Sequence, residues 1–257
     1  IRCYLNEASR YFIKAIEYQN FIGIEVPDLD NFLSYGSLLM DQITRRIFND
    51  ETIPQDEKVY SVFEPYTEWI CKGKAGVRQE LGVKVCVVED QFGFLLNHRV
   101  MHNEQDKDVA FGMAQKCKEL FPQLASMSFD KGFYSKPDKN GKNNSTNIQE
   151  QLELTPYLPA KGRLNKKRRE TESTLEFGAA RKQHPAVESA INALESHGLD
   201  RCPDKGEENY TRYVAMAITA SNVHRIGALL MARELEKERK KSRKSRKKRR
   251  QATKKAA

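Results

Sequence analysis

Apolar and polar positions change period several times along this chain, and each change predicts an element. Through residues 1–50 apolar side chains recur at helical spacing, at Ile13, Ile16 and Tyr18 to Phe21, then at Leu38, Leu39, Ile43 and Ile47. Gly23 to Asp30, containing Pro27, interrupts them, so a helical hairpin is expected. A polar connector, Asn49 to Glu57, leads to Lys58–Phe63, which alternates as a strand does. Stronger alternation at Val83–Val88 and Phe92–Met101, around the turn formers Glu89, Asp90, Gln91 and Gly93, predicts an antiparallel hairpin. Helical spacing returns from Asn103 to Phe121, with Val109, Ala110, Met113, Cys117 and Leu120 on one side and Pro122 beyond the end. Leu124 to Phe129 then reads as a short buried strand. Strand, strand, helix, strand over residues 83–130 implies a right-handed crossover onto a common sheet.

The later pattern is more broken. Pro137 to Asn147 is rich in Lys, Asn, Gly and Ser and reads as a loop. Thr155 to Pro159, flanked by prolines, suits a short edge strand. Ser173 and Glu176 match a capping box for a helix through Arg181. Pro185 permits a fresh helical start, Val187, Ile191 and Leu194 form its stripe, and Gly198 ends it. A last helix is expected from about Asn209 to Glu236, through Val214, Ile218, Val223, Ile226 and Leu230. The expectation is an α/β chain in three parts: a helical segment (1–57), an α/β domain (58–236) and a tail (237–257).

Composition adds two constraints. With 257 residues, 39% hydrophobic and 31% charged, the chain can bury one good core, and no apolar run approaches the ~20 residues of a membrane helix. Cys3, Cys71, Cys86, Cys117 and Cys202 are scattered without a Cys-x-x-Cys pair, which favours reduced thiols over a zinc site. The charge is uneven: residues 237–257 hold 13 Lys or Arg against Glu238, a net +12, leaving −3 for residues 1–236 of a chain at +9. Such a tail is expected to be disordered and to attract polyanions by counterion release without reading sequence.

Candidate chemistry centres on Ser128 to Ser135. Asp130 falls where the strand should end, and Gly132 lets the chain turn away. A carboxylate there faces the crevice where α/β sheets hold ligands, although capping the turn is an equally natural use of Asp. Glu188 sits at the margin of the Val187–Ile191 stripe, where it either reaches over the sheet edge or faces solvent. Together the two acids suit Mg²⁺ (or Mn²⁺), which carboxylates hold while leaving waters for reaction. Lys72, Lys74 and Arg78, in a glycine-rich loop, are candidate phosphate contacts, as are Lys161 and Arg163 in the basic run to Arg169.

Three blocks carry a family likeness: Phe63-Glu-Pro-Tyr-Thr-Glu-Trp-Ile-Cys-Lys-Gly-Lys-Ala-Gly76, Ser128-Phe-Asp-Lys-Gly-Phe133, and Gln183-His-Pro-Ala-Val-Glu-Ser-Ala-Ile-Asn-Ala-Leu-Glu195 with His197-Gly-Leu-Asp-Arg-Cys-Pro-Asp204. From about residue 40 to 230 the chain resembles bacterial insertion-sequence DDE transposases, in the group of unclassified elements labelled ISNCY. The resemblance implies a ribonuclease-H-like mixed sheet flanked by helices, and a cytoplasmic, nucleoid-associated protein. It also implies DNA as partner, both element ends and target, bound by at least a homodimer. Asp130 would be the second acid of the triad and Glu188 the third, sharing two Mg²⁺ ions for nicking and strand transfer. The first Asp of that family is expected upstream of Ile1 and is not in this sequence, so the chain by itself is expected to be catalytically impaired. Asp90 and Glu64 are the weaker substitutes. Where related transposases carry a phosphate-clamping signature around the last acid, this chain has Arg181, His184 and Glu195. Only Arg181 and Lys182 remain there as candidate DNA contacts. A non-enzymatic DNA-binding protein using the tail and the 161–169 cluster is the alternative reading.

Overall fold

Two helices open the chain, α1 (Arg2–Ile22) and α2 (Pro27–Phe48), as the apolar spacing predicts. Gly23, at φ 69°, takes the left-handed conformation that closes α1, and Pro27 starts α2, where its missing N–H costs nothing. The helices approach closely at Gly36, where a Cβ would lie 2.3 Å from Phe12 Cζ. Phe32 joins Phe12 to Phe63 through ring contacts of 5.8 and 5.3 Å. The computed structural model describes residues 1–71, 79–139 and 141–256. These form two compact units, Ile1–Lys84 with Lys205–Glu207, and Val85–Asp204 with Glu208–Ala257.

The first unit departs from expectation at Lys58–Phe63, which is not a strand. At Val59 a side chain takes both backbone groups instead: Gln42 Oε1 accepts from Val59 N at 2.8 Å, and Gln42 Nε2 donates to Val59 O at 3.3 Å. The strands of this unit are β1 (Glu68–Cys71) and β2 (Gln79–Gly82), antiparallel, with Cys71 opposite Gln79.

In the second unit β3 (Lys84–Glu89) and β4 (Leu95–Met101) form the expected hairpin. Asp90 builds its turn, with Oδ1 accepting from Phe92 N and Phe94 N, both at 2.8 Å. Helix α3 (Asp106–Leu120) follows, begun by a reciprocal cap between Gln105 and Asp108. Then come β5 (Ser126–Ser128), α4 (Asn144–Leu152) and β6 (Thr155–Tyr157). β6 runs parallel to β5, with Met127 opposite Pro156, and α4 supplies the crossover. The Asn143 side chain caps α4 by accepting from Thr146 N at 3.0 Å, a helix start hidden inside the loop-like 137–147 composition.

Four helices complete the unit: α5 (Lys166–Glu172), α6 (Leu175–Gln183), α7 (Pro185–Leu194) and α8 (Glu207–Ala256). The cap of α6 is Thr174, whose Oγ1 accepts from Phe177 N at 3.3 Å, one residue later than the Ser173 box suggests. Gly198, at φ 108°, ends the turn after α7, and Tyr213 Oη donates to its carbonyl at 3.0 Å. The tail continues α8 as helix rather than as an irregular segment. Lys and Arg are good helix formers, and Lys237–Glu234 (2.6 Å) and Lys240–Glu236 (2.7 Å) bridge successive turns. Residues 231–244 are all exposed. By length and hydropathy, α8 up to Lys244 also meets the minimum for crossing a bilayer, although its Val214 and Ile218 are core residues.

The class is mixed α/β, but the strands form three two-stranded ladders, β1–β2, β3–β4 and β5–β6, rather than one mixed sheet. β5 and β6 have three residues each, too few for backbone pairing alone to organise a sheet, so helices do it. α3 packs on both ladders of the second unit. Its Val109 and Met113 meet Cys86 and Met101, while Ala110 and Ala114 meet Phe129, Ile148 and Leu158. The alternate residues of β3, Val85 and Val87, pack with Leu194 and Ala190 of α7 and with Val214 of α8. Successive strand residues face opposite ways, so helices cover both faces of the β3–β4 ladder. Burial pushes the Cys86 thiol up to about 12 and raises Cys117 as well, which keeps both protonated and inert.

Candidate active site

Asp130 is delivered by its neighbours. Phe129, 3% exposed, locks the end of β5 into the core, and its ring meets Phe133 at 5.8 Å. Asp130 then emerges exposed, in extended conformation, and residues 131–133 make a 3₁₀ turn. Gly132 packs close to the start of α3: a Cβ there would come within 2.5 Å of Asp106 Oδ2, so that carboxylate would have to turn aside.

Glu188 is delivered by a side-chain stripe. Phe177, Arg181, His184 and Glu188 are spaced by four, three and four residues, which puts them on one face of the nearly continuous α6–α7 helix. The members contact β6 and β5 in order. The buried Phe177 ring meets Tyr157 edge-on at 5.9 Å. Arg181 Nη1 donates to the Phe129 carbonyl at 2.9 Å. His184 Nδ1 lies 3.4 Å from Ser128 Oγ. Glu188 is the next turn, exposed.

Both acids act on the same imidazole. His184 is held below its ordinary value of 6.5, first by burial and then by Arg181, while Asp130 and Glu188 pull it upward. His184 thus stands between the two: its ring meets Ser128, two residues before Asp130, and it precedes Glu188 by one helical turn. NMR titration is expected to give His184 a pKa below 6.5. Between the lowered folded value and the unfolded one, the unfolded chain holds the extra proton, so His184 takes stability away as pH falls through that window. A titration at or above 6.5 would contradict this.

The cations are distributed unequally. Lys161 Nζ reaches the Gly132 carbonyl at 3.4 Å, two residues past Asp130, and is exposed. Arg163 and Lys182 are exposed as well. Arg181 is half-buried and already spends one nitrogen on Phe129. Lys72, Lys74 and Arg78 lie outside the described residues.

The two substitute acids are engaged in their own surroundings. Asp90 sits in the β3–β4 turn with Oδ1 engaged by two amides, whereas Gly132 abuts Asp106, just past the other end of β4. The seven residues of β4 separate these ends by roughly 20 Å at strand rise. Glu64 belongs to the first unit, where its carboxylate accepts from Gly206 N at 3.1 Å. Among the described residues no three His, Cys, Asp or Glu side chains are placed to hold a metal ion together. Two oxygen-donor carboxylates are the chemistry a hard cation takes, whereas a two-ion centre needs a bridging third.

Sequence reasoning took Ser128 only as the start of the Ser128–Ser135 stretch, and it treated His184 only as a departure from a signature. The signal for His184 was available in its helical phase with Phe177, Arg181 and Glu188. No family model, curated protein or solved structure matches the chain.

Proposed function

We propose that this chain is the carboxyl-terminal part of an insertion-sequence DDE transposase, acting on DNA in divalent-metal-dependent strand cleavage and strand transfer. The observation that carries the reading is that the α6–α7 stripe is tied by Arg181 and His184 to Phe129 and Ser128, the residues just before Asp130, with Glu188 one helical turn beyond. In this reading the second unit is a ribonuclease-H-like domain, with ladders covered by α3 on one side and α6–α7 on the other. Asp130 and Glu188 are its second and third acids, and they would hold Mg²⁺ or Mn²⁺. The ion, when bound, polarises a phosphodiester oxygen and lowers the pKa of a coordinated water. Lys161, beside the Asp130 loop, neutralises the DNA phosphate brought to the acids, and Arg163 and Lys182 extend the cationic surface. Paired-end chemistry calls for two copies on the DNA. With no third carboxylate grouped with the pair among the described residues, the chain alone is expected to be catalytically impaired.

The test is nicking of supercoiled plasmid in Mg²⁺ and then Mn²⁺. Weak or absent nicking is expected, and any residual activity is expected to disappear in Asp130→Asn and in Glu188→Gln. Robust nicking that survives both substitutions but is lost in Asp90→Asn would overturn the assignment of acids.

The second reading, a DNA-binding protein without catalysis, is favoured by one feature, the basic run that ends α8, whose residues 237–244 are all exposed. It requires binding that ignores Mg²⁺ and survives Asp130→Ala.

A further inference from the structure

We infer that His184 is a positioning residue that fixes the separation of Asp130 and Glu188, an inference that rests on the metal-dependent reading above. The two acids are carried by elements with no hydrogen-bonded ladder between them. Asp130 leaves β5, while Glu188 rides on α7, whose apolar residues Ala190 and Leu194 pack with β3 and β4. Something must tie α7 to the end of β5.

Two polar contacts do so, and they fall on consecutive residues of the strand end. Arg181 holds the Phe129 carbonyl at 2.9 Å, and His184 meets Ser128 Oγ at 3.4 Å. Arg181 belongs to α6, on the far side of the junction made by His184 and Pro185. Pro185 has no N–H, so the helix loses a backbone hydrogen bond just where Glu188 must be aimed. His184 is therefore the last tether before the acid, one helical turn from it on the same face. Its ring is half-buried, and the stripe that contains it is anchored at its start by Phe177 in the core. A side chain that supports a metal ligand in this way contributes through orientation, on a scale of about 10- to 100-fold in metal affinity.

The experiment uses the full chain with Mn²⁺ as probe, its binding followed by loss of the free-ion EPR signal, and with thermal unfolding recorded for every variant. Asp130→Asn and Glu188→Gln are expected to weaken Mn²⁺ binding at least tenfold, and His184→Ala by about tenfold. His184→Asn places an amide oxygen near the Nδ1 position and is expected to recover affinity to within about threefold, while Ser128→Ala reproduces the loss. A merely structural role would lower the unfolding temperature of His184→Ala without being rescued in affinity by Asn. If the two acid variants bind Mn²⁺ as well as the parent chain does, the metal-dependent reading itself fails. If they lose binding while His184→Ala keeps it, or if Asn fails to restore it, the positioning role is overturned and the reading stands. Should His184→Ala not fold, Ser128→Ala against His184→Asn decides the same question.

Discussion

Removing residues 237–257 is expected to weaken binding to a plain DNA duplex by a factor on the order of 10³ at 50 mM salt. The segment carries 13 Lys or Arg and one acid, and without it the chain falls from +9 to −3. Each phosphate neutralised releases condensed counterions, so the full chain should show a steep fall of log affinity with log salt. The shortened one should show a slope closer to zero. The helical form of the tail sharpens the expectation. Along a helix successive residues keep a fixed rise of about 1.5 Å, close to the 1.7 Å axial spacing of duplex charges. Affinity measured by fluorescence anisotropy across a salt series checks this, with Asp130→Ala as a control whose slope should match the parent. Equal slopes for full and shortened chains would place the contact surface elsewhere, on Lys161, Arg163 and Lys182.

Phe129→Ala is expected to cost about 3–5 kcal/mol of stability, among the largest single-residue effects in this chain. The side chain is 3% exposed, and it sits in the cluster of Ala110, Ala114, Ile148, Leu154 and Leu158, packed on Phe133. A cavity there leaves two consecutive strand-end residues without their anchor, Asp130 on one side and Ser128 on the other. Denaturant unfolding followed by far-UV circular dichroism should shift its midpoint accordingly. Leu175→Ala, at a residue 88% exposed, should move it by no more than about 0.5 kcal/mol. A Phe129→Ala protein as stable as the parent would show that the end of β5 is not held from within.

Much of this was legible in the sequence because it depended on period. The helical hairpin, the β3–β4 hairpin, α3 and α7 each follow from spacing, since a buried face must recur at the pitch of its element. What failed depended on individual side-chain bonds. Lys58–Phe63 alternates as a strand would, but Gln42 takes both backbone groups of Val59. Asn143 starts a helix inside what composition marks as loop. Strand pairing was the largest loss: three-residue ladders such as β5–β6 owe their register to helices on top of them, which no local pattern announces. For the candidate acids, the elements that carry them were legible, Asp130 at a strand end and Glu188 on a later helix, but the histidine between them was not, because His184 becomes visible only once residues 177 to 188 are wound onto one helix.

The site straddles a seam. One acid belongs to the β5–β6 pair of strands and the other to a helix seated on the β3–β4 pair, and among the described residues no ladder crosses from one pair to the other. Under the metal-dependent proposal, the gap between the carboxyl groups would work as a caliper on the molecule's interior, and any slip of one pair of strands against the other would register first as a change in cation affinity.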